Sequence, residues 1–408
     1  MQGLHWENNR LFSYITPQNI ASFILVLFCI QYIPLESREG VSYLKLFVSA
    51  LCPVIILIYS PKIGRTMLLF LVYYITIIVM AVMHPESLRW STIIFMATFI
   101  VTFIAFYNLV VIEQVYTKEY FKRLIERLIL AYTIVLVMQQ FFILIGVRIF
   151  PLINLVQFLD RGIGANSLTY EPSSAAIILS FAMLSLIRMI ELDYNRKLSL
   201  KEIFRESKWP SVGFLWCMVS MGSGSAFIGL AILLCYFIRP QYYISTVLLA
   251  IVVYFCIMYI DFVPLQRAKD SVLAFITLDN QTVAMADGSA AARIIPIVNT
   301  LTKLDLTSVD GWLGHGVDYG LSEGLFSDIV MVGNIADYGF ISFLILQIIV
   351  YTSMIRRIFS LESLLWVGLG MATLANVPIN WGAMMMFTAV RYFQIQKANG
   401  CFDNHSEL

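Results

Sequence analysis

Arg161, Gly162, Gly164 and Glu171 crowd together just before a long apolar run that opens Pro172-Ser173. Pro172 suits the first helical position, where its missing N–H would be unpaired in any case. Glu171 then takes the cap, where the helix dipole favours a negative charge. Both glycines permit an irregular approach to that helix. The pattern sets an ionised carboxylate and an arginine at the mouth of an apolar helix. A guanidinium fork suits phosphate oxygens, and a carboxylate can take a proton from a hydroxyl. The plainer reading of this pair is a salt bridge that trims a loop. Further along, Gly311-Trp-Leu-Gly-His-Gly-Val-Asp-Tyr-Gly320 holds four glycines in ten residues. That density predicts irregular backbone folded closely on a ligand or another loop; the alternative is a flexible hinge. His315 inside it is a second proton acceptor, weighed against an ordinary surface histidine. Trp312 and Tyr319 offer ring faces for sugars.

These groups need elements to hold them, and the composition says which. Of 408 residues, 59% are hydrophobic and 13% charged, and the mean hydropathy is +0.80. Apolar runs of about 15 to 20 residues recur, as in membrane helices. The reading is an all-α polytopic membrane protein forming a single domain over 1–408. Its twelve spans fall roughly at 18–34, 42–60, 64–83, 91–110, 127–147, 171–190, 209–222, 224–238, 242–260, 338–354, 362–376 and 378–392. The N-terminal Met1 to Pro17 lacks a signal-peptide pattern, so the first span is expected to act as an uncleaved insertion signal. A net charge of +1 argues against nucleic acid, and four scattered histidines without a Cys/His cluster argue against a metal site. Five of the six cysteines lie in apolar runs and read as packing residues.

Lysine and arginine set the orientation. Lys62, Arg65, the groups at 118–127 and 188–208, Arg239, Arg356, Arg357, Arg391 and Lys397 fall on one side, with Arg10. The opposite short loops hold Arg38, Lys45, Arg89, Arg148 and Arg161. Both termini are therefore expected in the cytoplasm, and Arg161 to Glu171 outside. The basic run Arg188 to Lys208 is expected to meet anionic lipid heads. The segment 261–337, between spans nine and ten, is the one long loop, and it too faces outward. It carries Arg267, an amphipathic stretch from Ser289 to Leu304 with Arg293 near its start, and the glycine-rich turn. Loops of this length are usually functional.

Arg161, Gly164 and Glu171-Pro-Ser173 opening a helix resemble the outer-face motif of bacterial Wzy-type O-antigen and exopolysaccharide polymerases. The later order of Arg293, Gly314-His-Gly316, Asn334 and Tyr338-Gly339 is similar to theirs, as is the large late loop. Ser223-Gly-Ser225 occupies the place of a small polar element there, but Ala226 and Phe227 follow where an arginine often stands. The resemblance implies a fold like the GT-C membrane glycosyltransferases, in the bacterial inner membrane, with the active site facing the periplasm. It implies transfer of a growing glycan from undecaprenyl diphosphate to a lipid-linked repeat unit, with no metal and no cofactor. The leaving diphosphate gathers negative charge, for which Arg161, Arg267 and Arg293 stand on the correct face. Glu171 and His315 are the candidate bases. Glu171 has other possible roles, orienting Arg161 or binding sugar hydroxyls, and a carboxylate spent on capping is a weak base. Ser173, Tyr319 and Asn334 complete the implied substrate-binding set. A flippase and a chain-length regulator are the implied partners. An O-antigen ligase is the nearest rival. A lipid-linked oligosaccharide flippase or other transporter is a rival of another class, disfavoured because polar features gather at one face.

Overall fold

The computed structural model describes residues 16–31, 42–146, 163–238, 304–317, 319, 331–370 and 378–400, the first four residues of the 331–370 stretch by backbone alone. Every regular element among the described residues is helical. In chain order they are α1 (Pro17–Cys29), α2 (Tyr43–Tyr59), α3 (Arg65–Met83), α4 (Trp90–Tyr107), α5 (Lys118–Leu144), α6 (Pro172–Tyr194) and α7 (Leu200–Glu206). Then come α8 (Lys208–Ser220), α9 (Gly224–Leu234), α10 (Val309–Leu313), α11 (Met331–Ser353), α12 (Leu361–Leu365) and α13 (Pro378–Ala398).

Five stretches are long and apolar enough to cross a membrane: Arg65–Met83, Trp90–Ile112, Lys118–Leu144, Pro172–Tyr194 and Ile335–Ser353. Shorter apolar helices cover Pro17–Cys29, Tyr43–Tyr59, Gly224–Phe237 and Leu361–Gly370. The expected ninth span, 242–260, lies outside the described residues, as does most of the loop 261–337. Where expected and observed bounds differ, local chemistry explains it. α1 stops at Cys29 because Ile30 turns extended (φ −112°, ψ 128°) and the Gln31 N–H is donated to Leu168 O instead, at 3.1 Å. α5 begins two turns early because Lys118 to Glu126 is amphipathic: Phe121 and Ile125 are buried while charged neighbours point out. The expectation that 311–320 has no regular structure fails at its start, since α10 runs to Leu313. Ser308 supplies the cap, its Oγ accepting the Gly311 N–H at 3.0 Å.

α6 is the centre of the bundle. In its apolar window 83% of residues are buried, against 33% in α3 and α5, and it packs on α5, α9 and α13. A helix apolar all round belongs in the core. Phe181 of α6 meets Phe387 of α13 with ring centroids 4.6 Å apart. Trp381 of α13 stacks on Phe70 of α3 and Phe99 of α4, each at 6.0 Å. These rings pin α13 between α6 and the α3–α4 pair.

From α1 to α6 successive helices of the chain run in alternating directions, so the bundle has two distinct ends. Glu171, the turn at His84 and the glycine-rich turn share one end. At the opposite end Lys62 pairs with Glu113 at 3.0 Å, and Lys118 and Lys122 of α5 both reach Asp193 of α6. The basic run 188–208 is there too, but much of its charge is answered within the protein. Arg188 is taken by Glu362 and Glu191, and Arg196 pairs with Glu202 at 2.5 Å. Glu202 also closes the capping box of α7 with Ser199. Hydrogen bonds from Arg196, then from Ser199, hold its carboxyl down to about 2.

Candidate functional site

The segment 163–171 leads into α6 without regular structure, yet Gly164 to Ser167 are buried. Irregular backbone in an apolar setting must find partners for its amides, and side chains of α5 and the end of α1 provide them. Gln139 accepts the Ser167 N–H at 2.7 Å and donates to Ser167 O at 3.1 Å. Ser167, held at φ +53°, donates its hydroxyl to Tyr132 O at 2.6 Å. Gln31 accepts the Tyr170 N–H at 3.2 Å. Within the turn, Thr169 Oγ1 donates to Asn166 O at 2.8 Å, and the Asn166 amide returns a hydrogen bond to Thr169 O.

This platform ends on Glu171. As expected, Glu171 is the cap residue (φ −132°, ψ 146°) and Pro172 opens the helix. The carboxylate caps nothing, however. It is exposed and accepts the Ser173 hydroxyl at 2.9 Å. Ser173 orients one oxygen and leaves the other for a proton.

The described part of the glycine-rich turn packs on the early turns of α11 rather than on another loop. The His315 N–H donates to Ala336 O at 3.0 Å and the Gly316 N–H to Asp337 O at 3.2 Å. His84, at the end of α3, meets Gly314 O through Nε2 at 2.9 Å. The His84-Pro-Glu86 segment is a turn formed by a short 3-10 helix over Pro85–Ser87. Two glycines make this docking possible. Gly314 (φ +99°, ψ 164°) and Gly339 (φ +82°, ψ 165°) occupy backbone space that only glycine visits. A Cβ on Gly314 would lie 2.2 Å from Asp337 O, and one on Gly339 2.3 Å from Trp312 O. Gly314→Ala should cost about 1–3 kcal/mol in backbone strain alone and free the turn. Limited proteolysis of the purified protein should then cut within 304–317 where the wild type resists. Equal resistance would show that this contact does not hold the turn.

The docking also sets the state of His315. Its Nδ1 lies 3.2 Å from Ala336 O, and a carbonyl only accepts, so Nδ1 carries the proton. In the neutral ring Nε2 then keeps its lone pair and can accept a proton. Tyr319 stacks on the ring at 4.2 Å between centroids, with planes 12° apart. Trp312 is 39% exposed; its indole N–H donates to Leu306 O at 2.8 Å and its ring packs edge-on against Phe340.

Two pairs of predicted site residues are thus brought together, Glu171 with Ser173 and His315 with Tyr319, at the same end of the bundle. No hydrogen bond or ion pair links one pair to the other among the described residues. Arg161, Arg267 and Arg293 lie outside the described residues, and Asn334 sits in the first turns of α11 with its side chain outside them. No family model, no curated protein and no solved structure matches this chain. Function here rests on the residues themselves.

Two residues at this end escaped sequence reading. Lys45 was assigned to a loop but lies in the first turn of α2, 4% exposed. It lines a cavity of about 20 Å³ with Ser42, Ser49, Phe95, Phe99 and Pro378, room for a single water. An ionisable group inside an apolar helix is the signal that could have found it. Asn380, near the start of α13, is 1% exposed, and both ends of its amide lack a partner among the described residues. Gln139 and Gln31 were missed as well, because their partners are remote in sequence.

Proposed function

We propose that this chain is a membrane glycosyltransferase that joins undecaprenyl-diphosphate-linked oligosaccharide repeats on the outer face of the bacterial inner membrane. The supporting observation is Glu171. It is an exposed carboxylate, held by Ser173, at the opening of the most buried helix, on a loop fastened to α5 and the end of α1. In this reading Glu171 takes the proton of the acceptor hydroxyl. That oxygen attacks the anomeric carbon of the donor glycan, and the bond from that carbon to the diphosphate oxygen breaks. The departing undecaprenyl diphosphate gains negative charge, which Arg161, Arg267 and Arg293 are proposed to meet. Tyr319, Asn334 and Ser173 are proposed to contact the sugars. The twelve-span topology, cytoplasmic termini and outward 261–337 loop follow the lysine and arginine bias and are part of the same proposal. A flippase would supply the substrate, and a chain-length regulator would limit the product.

An O-antigen ligase is the second reading, favoured by His315, whose protonated Nδ1 leaves Nε2 as an acceptor on an ordered turn. The two part on one phenotype. Deleting the gene should leave surface glycan carrying single repeats if the chain is the polymerase. Lipid-linked polymer accumulating behind the membrane would mark a ligase, and repeat units trapped on the inner leaflet would mark a flippase. Glycan ladders and lipid extracts of the deletion strain read all three.

A further inference from the structure

We propose that the cleft formed by the ends of α6 and α13, the turn 354–360 and the start of α12 binds the phosphate headgroup of an acidic phospholipid. This cleft is at the end of the bundle opposite Glu171. Pro172 and Arg188 are sixteen residues apart on α6, or ~24 Å along the helix axis. The inference goes beyond the proposed activity and stands without it.

The cleft has a volume of about 320 Å³ and is lined by Arg188, Arg356, Arg357, Phe359, Ser360, Glu362 and Gln394. Its charges divide into a used set and an unused set. Arg188 forks onto Glu362, Nε to Oε1 at 2.7 Å and Nη2 to Oε2 at 3.0 Å. Its remaining nitrogen reaches Glu191 at 2.6 Å. Both Glu362 oxygens are therefore occupied, and the lone carboxylate of the cleft is already answered. Arg356 makes one hydrogen bond, to the backbone Gln394 O at 3.2 Å, and no carboxylate pairs with it among the described residues. Arg357 makes neither a hydrogen bond nor an ion pair through its side chain there. One helical turn before Gln394, Arg391 has its Nε buried without a partner. Uncompensated guanidinium groups collected at one cleft repel one another until an anion joins them. Guanidinium forks match phosphate oxygens best.

The neighbours of the cleft say which phosphate. Phe359 is 99% exposed and Ile358 66% exposed, on the same turn as the two arginines. Leu364 and Val367, on the adjoining short apolar stretch, are also exposed. A soluble phosphate has no use for this apolar rim. A phospholipid does, since its acyl chains would cover the rim while its headgroup enters the cleft. Basic clefts at the ends of membrane helices are where anionic headgroups bind.

The test uses full-length protein in phosphatidylcholine nanodiscs made with and without phosphatidylglycerol, read by thermal melting and by lipid retention in native mass spectrometry. Phosphatidylglycerol should raise the melting temperature of the wild type and be retained. Arg356→Gln/Arg357→Gln should weaken that retention about tenfold or more, the loss of two charge-assisted contacts. Arg65→Gln/Arg123→Gln, which removes exposed cations from the same end but outside the cleft and the 188–208 run, should retain the lipid as the wild type does. Should the Arg356/Arg357 variant fold poorly, Arg357→Gln alone is the readout, because its side chain makes no hydrogen bond or ion pair among the described residues. Equal retention by the Arg356 and Arg357 variants would overturn the proposal, as would equal loss in the Arg65/Arg123 variant. Inorganic phosphate reproducing the full stabilisation would overturn it in favour of a soluble-anion site.

Discussion

Glu171→Gln should cut glycan polymerisation by about 10²–10⁴-fold, the usual contribution of a positioned proton acceptor, with protein level in the membrane unchanged. The substitution is clean for a structural reason. The carboxylate makes no cap hydrogen bond, so the substitution breaks no bond that closes the start of α6. The amide oxygen of glutamine can still accept from the Ser173 hydroxyl, which now lies 2.9 Å from the carboxylate. The substitution removes the negative charge and with it the capacity to take a proton. Ser173→Ala, by contrast, should reduce activity less than tenfold, since a single neutral hydrogen bond is worth about 1 kcal/mol. Ladder length on a gel at matched protein level decides between them. A ladder of near-normal length from Glu171→Gln would take Glu171 out of the chemistry and leave His315 as the base.

Arg188→Ala should be the most damaging change to stability, costing about 3–5 kcal/mol. Arg188 holds two carboxylates at once, and Glu362 is 6% exposed. Removing the guanidinium strands both charges in a setting with little water. The damage would spread, because Glu191 also accepts the Tyr236 hydroxyl at 2.8 Å, and Tyr236 in turn accepts the Leu198 N–H at 2.9 Å. Arg188→Lys keeps the charge but loses the fork, and should fall between the two. Adding Glu362→Gln to Arg188→Ala should recover part of the loss, because one stranded charge disappears. Denaturation of the purified protein in detergent measures all four. An Arg188→Ala protein that melts like the wild type would show the triad to be solvated.

Much of the site was legible because its signals are local. Pro172 at the first helical position and Glu171 at the cap follow from backbone chemistry spanning two residues. The irregular backbone of the glycine-rich turn after Leu313 follows from its glycines in the same way. What stayed hidden depends on partners far along the chain. Gln139 reads as a polar interruption in an apolar run until Ser167 is beside it. Lys45 reads as a loop charge because hydropathy windows blur helix ends, and the early start of α5 is hidden by its lysines and glutamates. The depth of α6 also escaped notice, since every apolar run looks alike before it is packed. For Arg161, Arg267 and Arg293 the sequence remains the whole basis of their assignment.

The facing glycines at 314 and 339 bear on ancestry. The backbone of each segment occupies the space a methyl group on the other segment's glycine would need, so neither position tolerates a side chain. A lineage that changed one would have to rebuild the turn and the helix break together. Distant kin of this chain could then be sought by a short signature, a glycine beside the histidine and a second at the break of the next long helix, with a proline-opened helix carrying a glutamate cap upstream. Such a signature would persist after the apolar spans, which tolerate exchange among leucine, isoleucine, valine and phenylalanine, had lost all measurable likeness.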